Sequence, residues 1–372
     1  EMRLFLKFIL FLIISLSSEI VDGQTKNIKG LNYINTLIES DSIAKAEIEL
    51  EFQINNFTSQ KNYDTLVHYI YDLGKIAILL NKPIEEAVQF SEDISIVTKN
   101  NESLTILNLE LAKLYFEQNE LAQAYKFAEI AKKYALQNSN RALLVETEYY
   151  LGDYSMKLGD ITSLEKHIRA ANKLINQNKK KPYTVTARVF NLMGAVMFFS
   201  SKQDSAVYYF ENALKNIENL PDNLENKLYL PAAINGNLFL IKLNQGKYLE
   251  SRKLVEKSLK LNQKFLNQTN NHPLLSRVKR NIALGYTNLS SLYFDLGDFN
   301  RSDQITQLSY GFVKANFPPN TEEYFLTALA QAEVKNAKLE LRESLQYLKQ
   351  AEKCLDNMTL DNYQLRAYLY ND

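Results

Sequence analysis

The side chains that could do chemistry are few, and their spacing does not match the usual sites. Histidine occurs at His68, His167 and His272, and no second histidine or cysteine accompanies any of them at helical spacing. The sequence therefore predicts no metal site. Glycine-rich phosphate loops and a Gly-x-Ser-x-Gly nucleophile turn are also missing, so we expect no nucleotide cofactor and no serine hydrolase.

The remaining candidates also favour structure over catalysis. The carboxylate pairs Glu85-Glu86 and Glu322-Glu323 fall on exposed helix positions by pattern. Cys354, the single cysteine, lies at helical spacing from Ala351, which predicts a buried, inert thiol. His68 and His167 are predicted on helices, at or near the surface. We expect no catalytic residue, no cofactor and no small-molecule substrate, and hence no enzyme in this chain.

The charge balance excludes another class of function. The chain has 43 Lys and Arg against 43 Asp and Glu, so its formal net charge is zero. Nucleic-acid-binding proteins need a basic face, and none is expected here. The basic run Lys179-Lys180-Lys181 precedes a proline and is interpreted as a solvated loop.

A repeated helix-turn-helix pattern organises the rest of the sequence. In its best copy, Leu289, Leu292 and Leu296 recur at the spacing of one helix face. Gly297 then ends the helix, because the position after a helix favours a left-handed backbone. The carboxylate of Asp298 can cap the next helix. The two helices should therefore fold back on each other with almost no loop.

The same register can be placed on most of the chain. The paired residues of the first helix recur at Leu73-Gly74, Leu111-Ala112, Leu151-Gly152, Met193-Gly194, Leu238 and Ala332. The small position of the second helix recurs at Ala124, Leu164, Ala206, Ser251, Ser302 and Ser344. These steps exceed the ~34 residues of a minimal repeat of this kind. Prolines fall mostly between the units, where a helix must end.

This pattern resembles the tetratricopeptide repeat (TPR), with kinesin-light-chain-type spacing, over roughly residues 60–355. The resemblance implies an all-α, right-handed superhelical solenoid of antiparallel helix hairpins. We predict a helical lead-in at residues 24–60, about seven hairpins at 61–355, and the first helix of an incomplete repeat at 356–372.

The resemblance also implies a binding face. In TPR arrays the first helices line the concave side, and the contact positions lie two before, two after and five after the Leu of the Leu-Gly pair. Carried onto this chain, they predict an apolar groove with a few polar points, for a protein or peptide partner. The alternative is that this apolar stripe packs only within the array. The predicted groove residues are Phe116, Tyr149, Asp153, Met156, Asn191, Phe198, Leu243 and Phe294.

The N-terminus has the form of a secretory signal peptide. A short basic start containing Arg3 and Lys7 is followed by an apolar run, Phe8 to Leu16, that is too short to span a membrane. Small residues precede Gln24, which predicts cleavage after residue 23. We expect export across an inner membrane to the periplasm, either free or tethered to the membrane. An uncleaved anchor and a buried helix are the alternatives.

The C-terminus suggests that the chain continues. Residues 362–370 start another first helix without a second helix, whereas a solenoid normally ends in a polar cap. Exported repeat regions of this kind resemble the N-terminal parts of bacterial CHAT-domain proteins and of Bacteroidetes TPR sensors. Two functions follow. One is a scaffold that binds a protein or peptide. The other is the sensory arm of a larger protein with a CHAT peptidase-like, histidine-kinase or transcription-factor effector. A membrane contact is expected only through such a missing C-terminal segment.

Overall fold

A computed structural model describes residues 29–40, 42–177, 185–220, 222–269, 272 and 274–358. The expected signal peptide at 1–23, the basic run Lys179–Lys181 and the expected last helix beyond residue 358 lie outside these residues. The described residues form helices and no strand, so the all-α prediction is confirmed. Within them, no helix combines the length and the hydrophobicity needed to cross a membrane.

The helices alternate with short turns along the whole described chain. Short 3-10 turns occur at Val67–Tyr69 and Ile217–Asn219, and a π-helical turn at Glu225–Tyr229. The α-helices are α1 (Lys29–Glu39), α2 (Ile43–Ser59), α3 (Tyr63–Leu66), α4 (Ile70–Leu79), α5 (Glu85–Val97), α6 (Asn101–Glu117), α7 (Leu121–Ala135), α8 (Arg141–Lys157), α9 (Ile161–Gln177), α10 (Thr186–Phe199), α11 (Gln203–Asn216), α12 (Leu230–Asn244), α13 (Tyr248–Gln268), α14 (Leu275–Asp295), α15 (Phe299–Asn316), α16 (Glu322–Ala337) and α17 (Leu341–Asp356).

The chain divides into two compact units. Among the described residues, the N-terminal unit contains residues 29–227, 269 and 272, and the C-terminal unit contains 228–268 and 274–358. In the N-terminal unit α1 pairs with α2, α4 with α5, α6 with α7, α8 with α9 and α10 with α11. In the C-terminal unit α12 pairs with α13, α14 with α15 and α16 with α17. The first helix of each pair also contacts the first helix of the next pair in its unit.

In the seven helix pairs that follow the first, the turns between paired helices share one backbone geometry. Gly159, Gly246 and Gly297 adopt φ values of 75°, 68° and 75°. The following N–H closes the turn onto a carbonyl five residues back, as Asp298 does to Tyr293 at 2.9 Å. The Asp298 carboxylate accepts a hydrogen bond from the N–H of Arg301 at 3.1 Å, so the predicted cap is confirmed. The same left-handed turn position is occupied by residues other than glycine in four further pairs: Asn81, Asn119, Ser201 and Leu339.

Small residues let the paired helices approach closely. A Cβ at Gly194 would lie 2.7 Å from ring carbons of Phe210, so α10 and α11 touch backbone to ring. In three later pairs a serine on the second helix donates a hydrogen bond to a carbonyl of the first helix, twelve residues earlier. These bonds join Ser251 to Phe239 at 3.1 Å, Ser302 to Ser290 at 3.0 Å and Ser344 to Ala332 at 2.8 Å. The hydroxyl therefore joins two helices at a position that other repeats fill with alanine or leucine.

Two predictions about single residues have different outcomes. Cys354 is buried, and its thiol donates to the carbonyl of Thr321 at 3.3 Å, as expected of an inert cysteine. Burial raises the pKa of that thiol to about 11. The prediction of a surface or half-buried His167 is wrong. The His167 ring is 1% exposed, because it packs between helices and pairs through Nδ1 with Glu148 Oε2 at 2.7 Å.

Candidate functional site

Six of the eight predicted groove residues lie in the N-terminal unit and two in the C-terminal unit. In the N-terminal unit they are Phe116 on α6, Tyr149, Asp153 and Met156 on α8, and Asn191 and Phe198 on α10. Leu243 on α12 and Phe294 on α14 belong to the C-terminal unit, where Phe294 packs edge-on against Phe299 of its own hairpin at 5.2 Å. The candidate site is therefore built on the first helices of the N-terminal unit.

An aromatic ladder joins α6 to α8. Phe116 stacks on Tyr154 with ring centroids 5.0 Å apart. Tyr154 lies 5.7 Å from Tyr150, and Tyr150 lies 5.1 Å from Tyr149. All four side chains are buried. The ladder thus connects one aromatic residue of α6 to three tyrosines of α8.

Lys113 of α6 sits at the centre of the charges beside this ladder. Its Nζ lies 2.8 Å from Glu110 Oε1 and 3.7 Å from Glu146 Oε1 on α8. It also lies 5.4 Å from the centre of the Tyr150 ring. Burial by itself would lower the pKa of Lys113, but Glu110 and Glu146 outweigh burial and hold that pKa above its usual value. Lys113 is therefore a permanent cation that ties two helices together.

Arg188 of α10 makes the corresponding link to the π-helical turn. One guanidinium nitrogen donates to Glu225 Oε1 at 2.7 Å and to Asn226 Oδ1 at 2.9 Å. Arg188 is 1% exposed and Glu225 is 2% exposed. A buried guanidinium is tolerated when a carboxylate matches its charge, as Glu225 does here. The pair fixes the π-helical turn against α10.

Two ionisable groups on α4 extend the site to the second hairpin. Burial, reinforced by the charge of Glu110, raises the pKa of Asp72 to about 8. Burial lowers the pKa of Lys75 to about 8, although Glu117 and Glu225 act in the opposite direction. The charge of Glu225 therefore acts on Lys75, although three hairpins separate the two residues in sequence.

Ion pairs or the influence of one charge on the pKa of another link these groups, and we call them the charged network. Its members are Asp72, Lys75, Glu110, Lys113, Glu146, Tyr149, Asp153, Arg188 and Glu225. Two predicted residues belong to it, because burial and the charge of Asp153 raise the pKa of Tyr149 well above its usual value, while Arg188 opposes them. Asn191 is buried on the same helix as Arg188, and Met156 and Phe198 are half-buried.

Sequence reasoning missed most of the charged network. A signal was available, since Glu146 and Arg188 each lie five residues before the Leu-Gly or Met-Gly pair of their repeat. The contact positions of the repeat family, two before, two after and five after the leucine, do not include this position. In the N-terminal unit the first helices also carry several buried ionisable groups, and we call this face, formed by α4, α6, α8 and α10, the wall. In the described part of the chain, no cluster of three or more histidine, cysteine or acidic side chains is placed to hold a metal ion.

Comparisons with known proteins identify the fold. In sequence, the chain matches no protein-family model and no curated protein. In structure it is similar to a signal-transduction ATPase with a tetratricopeptide repeat sensor from Pyrococcus horikoshii, at 12% identity and a TM-score of 0.60, over 94% of this chain and 49% of that one. It is also similar to the apo quorum sensor NprR from B. thuringiensis, at 14% identity and a TM-score of 0.54, over 90% and 89% of the two chains.

A third match is NprR in complex with its cognate peptide NprX, at 13% identity and a TM-score of 0.54, over 81% of each chain. At these identities the likeness is one of fold. The fold of this chain is thus the TPR-like helical solenoid, as the repeat register predicted.

Proposed function

We propose that this protein binds a protein or peptide segment, and that the first helices α4, α6, α8 and α10 form the binding surface. The observation that carries the proposal is the charged network, in which ionisable groups from four successive hairpins converge. A structure of the same fold, NprR, is known in complex with a peptide, which supports a peptide-sized partner.

The charged network suits the recognition of a polypeptide backbone. An unfolded segment presents N–H and C=O groups that need partners when they leave water. The buried pairs Lys113–Glu146 and Arg188–Glu225 hold the helices in fixed positions, so the surface that a segment meets loses little freedom on binding. The residues of the charged network are almost fully buried, so a segment would first meet the half-buried edge of the wall. That edge contains Met156, Phe198 and Glu117.

The test is the capture of partners with matched substitutions. Phe198 and Phe294 occupy the same register position and are both half-buried, but they lie in different units. Phe198→Glu should remove the captured partner, because a carboxylate would be placed at the apolar edge of the wall. Phe294→Glu should leave the captured partner in place. Circular dichroism of both variants first establishes that each is folded.

The opposite results are equally informative. If Phe198→Glu retains the full set of partners, the wall in the N-terminal unit is not the binding surface. If both variants lose their partners to the same extent, binding depends on the stability of the whole chain. Cross-linking from a photoreactive residue at Met156 gives an independent readout of contact.

We further propose that the chain is exported, with residues 1–23 as a signal peptide. The basic start, the short apolar run and the small residues before Gln24 support this proposal. Mass spectrometry of the protein recovered from cells should find Gln24 as the mature N-terminus. Recovery of the uncut chain from the cytoplasmic fraction would contradict export.

The alternative function is that of the sensory arm of a larger protein. Its support is the structural likeness to a signal-transduction ATPase that has a tetratricopeptide repeat sensor. This chain matches about half of that protein. The gene sequence beyond Asp372 decides between the two. An effector domain in the same reading frame would favour the sensory arm, and a stop codon would favour the free scaffold.

A further inference from the structure

The second helices of the first two hairpins enclose a groove on the surface of the N-terminal unit. The groove has a volume of about 510 Å³ and is lined by α2, α4 and α5. Half-buried apolar side chains form part of its lining, and three exposed carboxylates stand beside them. The apolar residues are Ile54, Leu73 and Phe90, and the carboxylates are Glu51, Glu86 and Asp93. We call this feature the acidic groove.

The acidic groove is unusual in a chain with no net charge. Helices α2 and α5 contain seven Asp and Glu residues and a single basic residue, Lys45. Lys82, in the turn before α5, is paired with Glu47 at 2.7 Å. Among the described residues, no ion pair involves Glu51, Glu86 or Asp93. The groove therefore presents a local excess of negative charge.

The opposite charge is concentrated on α13 in the C-terminal unit. Four exposed lysines on one face of this helix form the lysine stripe, at positions Lys253, Lys257, Lys260 and Lys264. The acidic residues of α13 are already paired, Glu250 with Lys242 at 3.1 Å and Glu256 with Arg252 at 3.7 Å. Within the part of the chain that the structure describes, none of the four lysines takes part in an ion pair.

The two surfaces match in spacing as well as in charge. Glu86 and Asp93 lie seven residues apart on α5, which is about 10.5 Å along a helix. Lys253 and Lys260 have the same separation on α13. Leu249, four residues before Lys253 on the same face, is 61% exposed. A helix laid along the groove could thus pair its lysines with the carboxylates while its leucine meets the apolar lining.

We propose that the lysine stripe of one copy docks in the acidic groove of a second copy. Each copy carries both surfaces, so the contact is heterologous, head to tail, and one copy can contact two others. The mode is that of a helix placed in a groove, with charge setting the register. Because the charges are exposed, salt should weaken the association strongly.

Analytical ultracentrifugation of the full chain tests the proposal across a range of protein concentrations. At about 0.01 M salt, where the Debye length is about 30 Å, the average mass should rise with concentration. At about 1 M salt, where it is about 3 Å, the chain should be monomeric. A chain that stays monomeric at low salt overturns the proposal.

Charge reversal then locates the two surfaces. One variant reverses the groove, Glu86→Lys with Asp93→Lys, and the other reverses the stripe, Lys253→Glu with Lys260→Glu. Each should weaken self-association at least about tenfold, because like charges would face each other. The control is Lys126→Glu with Lys133→Glu, two exposed lysines with the same spacing on α7, which should associate as the unaltered chain does.

Mixing provides the decisive measurement. In the groove-reversed variant positions 86, 93, 253 and 260 are all positive, and in the stripe-reversed variant all four are negative. An equimolar mixture of the two should therefore recover the association that each variant alone has largely lost. Failure of the mixture to associate, or an equal loss in the control variant, would show that the stripe and the groove do not pair.

Discussion

Replacing Gly194 by alanine tests how tightly the helix pairs are packed. Gly194 lies within α10, and a Cβ at this position would lie 2.7 Å from Cδ1 and Cε1 of Phe210 on α11. Carbon atoms attract best at about 3.5–4.0 Å, so the added methyl overlaps the ring by roughly 1 Å. Phe210 is 1% exposed and has a rigid ring, so it cannot turn away without displacing its neighbours.

Two effects of opposite sign determine the magnitude. Alanine is favoured over glycine in a helix interior by about 1 kcal/mol. Overpacking of a close-packed core costs about 1–3 kcal/mol, and contact with a ring places this case near the upper end. Gly194→Ala should therefore lower the free energy of unfolding by about 1–2 kcal/mol. Gly311→Ala is the matched control. Its site within α15 has no atom within 4 Å of a new Cβ, so it should gain up to about 1 kcal/mol.

Urea unfolding followed by circular dichroism measures both free energies, and hydrogen exchange in α10 and α11 localises the loss. The local measurement matters because helix-hairpin arrays need not unfold in one step. Phe210→Leu should partly rescue Gly194→Ala, which a double-mutant cycle would detect as coupling. If Gly194→Ala proves as stable as Gly311→Ala, the close contact between α10 and α11 is not real.

Three further predictions concern a turn, a buried acid and a buried ion pair. Gly297→Val should cost about 1–3 kcal/mol in thermal unfolding, whereas Gly297→Asn should cost much less, since Asn119 holds a φ of 61° in the equivalent turn. Asp72 keeps its proton up to about pH 8 when folded but not when unfolded, so stability should fall between about pH 4 and pH 8. Asp72→Asn should flatten that decline in unfolding experiments at several pH values, and an unchanged slope would contradict the assignment. Glu148→Ala should cost about 1–3 kcal/mol, because it leaves Nδ1 of the buried His167 without its hydrogen-bond partner. Burial opposes ionisation of Glu148, but the hydrogen bonds from His167 and Lys132 lower its pKa. The contribution of Glu148 to stability should therefore be lost as the pH falls below about 4.5. A Glu148→Ala variant as stable as the parent would refute this role of Glu148.

The hairpin architecture was predictable because local rules produce it. Gly159, Gly246 and Gly297 mark turns that glycine makes easily, and Asp298 caps the helix that follows. The turn at Leu339 was not visible in sequence, since a leucine rarely adopts a φ of 61°. There the packing of α16 against α17 imposes the turn, which the residue type does not predict.

The candidate site was predictable only in part. The register predicted Tyr149, Asp153 and Asn191 as groove residues, and the structure shows all three buried on first helices of the N-terminal unit. It also grouped Leu243 and Phe294 with them, although those residues lie in the other unit. A register describes each repeat separately and contains no information about which repeats share a unit.

Sequence alone determined the all-α class, the hairpin repeat and the turn chemistry, because helical periodicity and caps depend on neighbours within a few residues. Only the tertiary structure decided which charges meet. Lys113 and Glu146 lie on different helices, as do Arg188 and Glu225, and each pair is buried together. The strength of such pairs depends on distance and burial, which arise from the stacking of hairpins and cannot be derived from any single repeat.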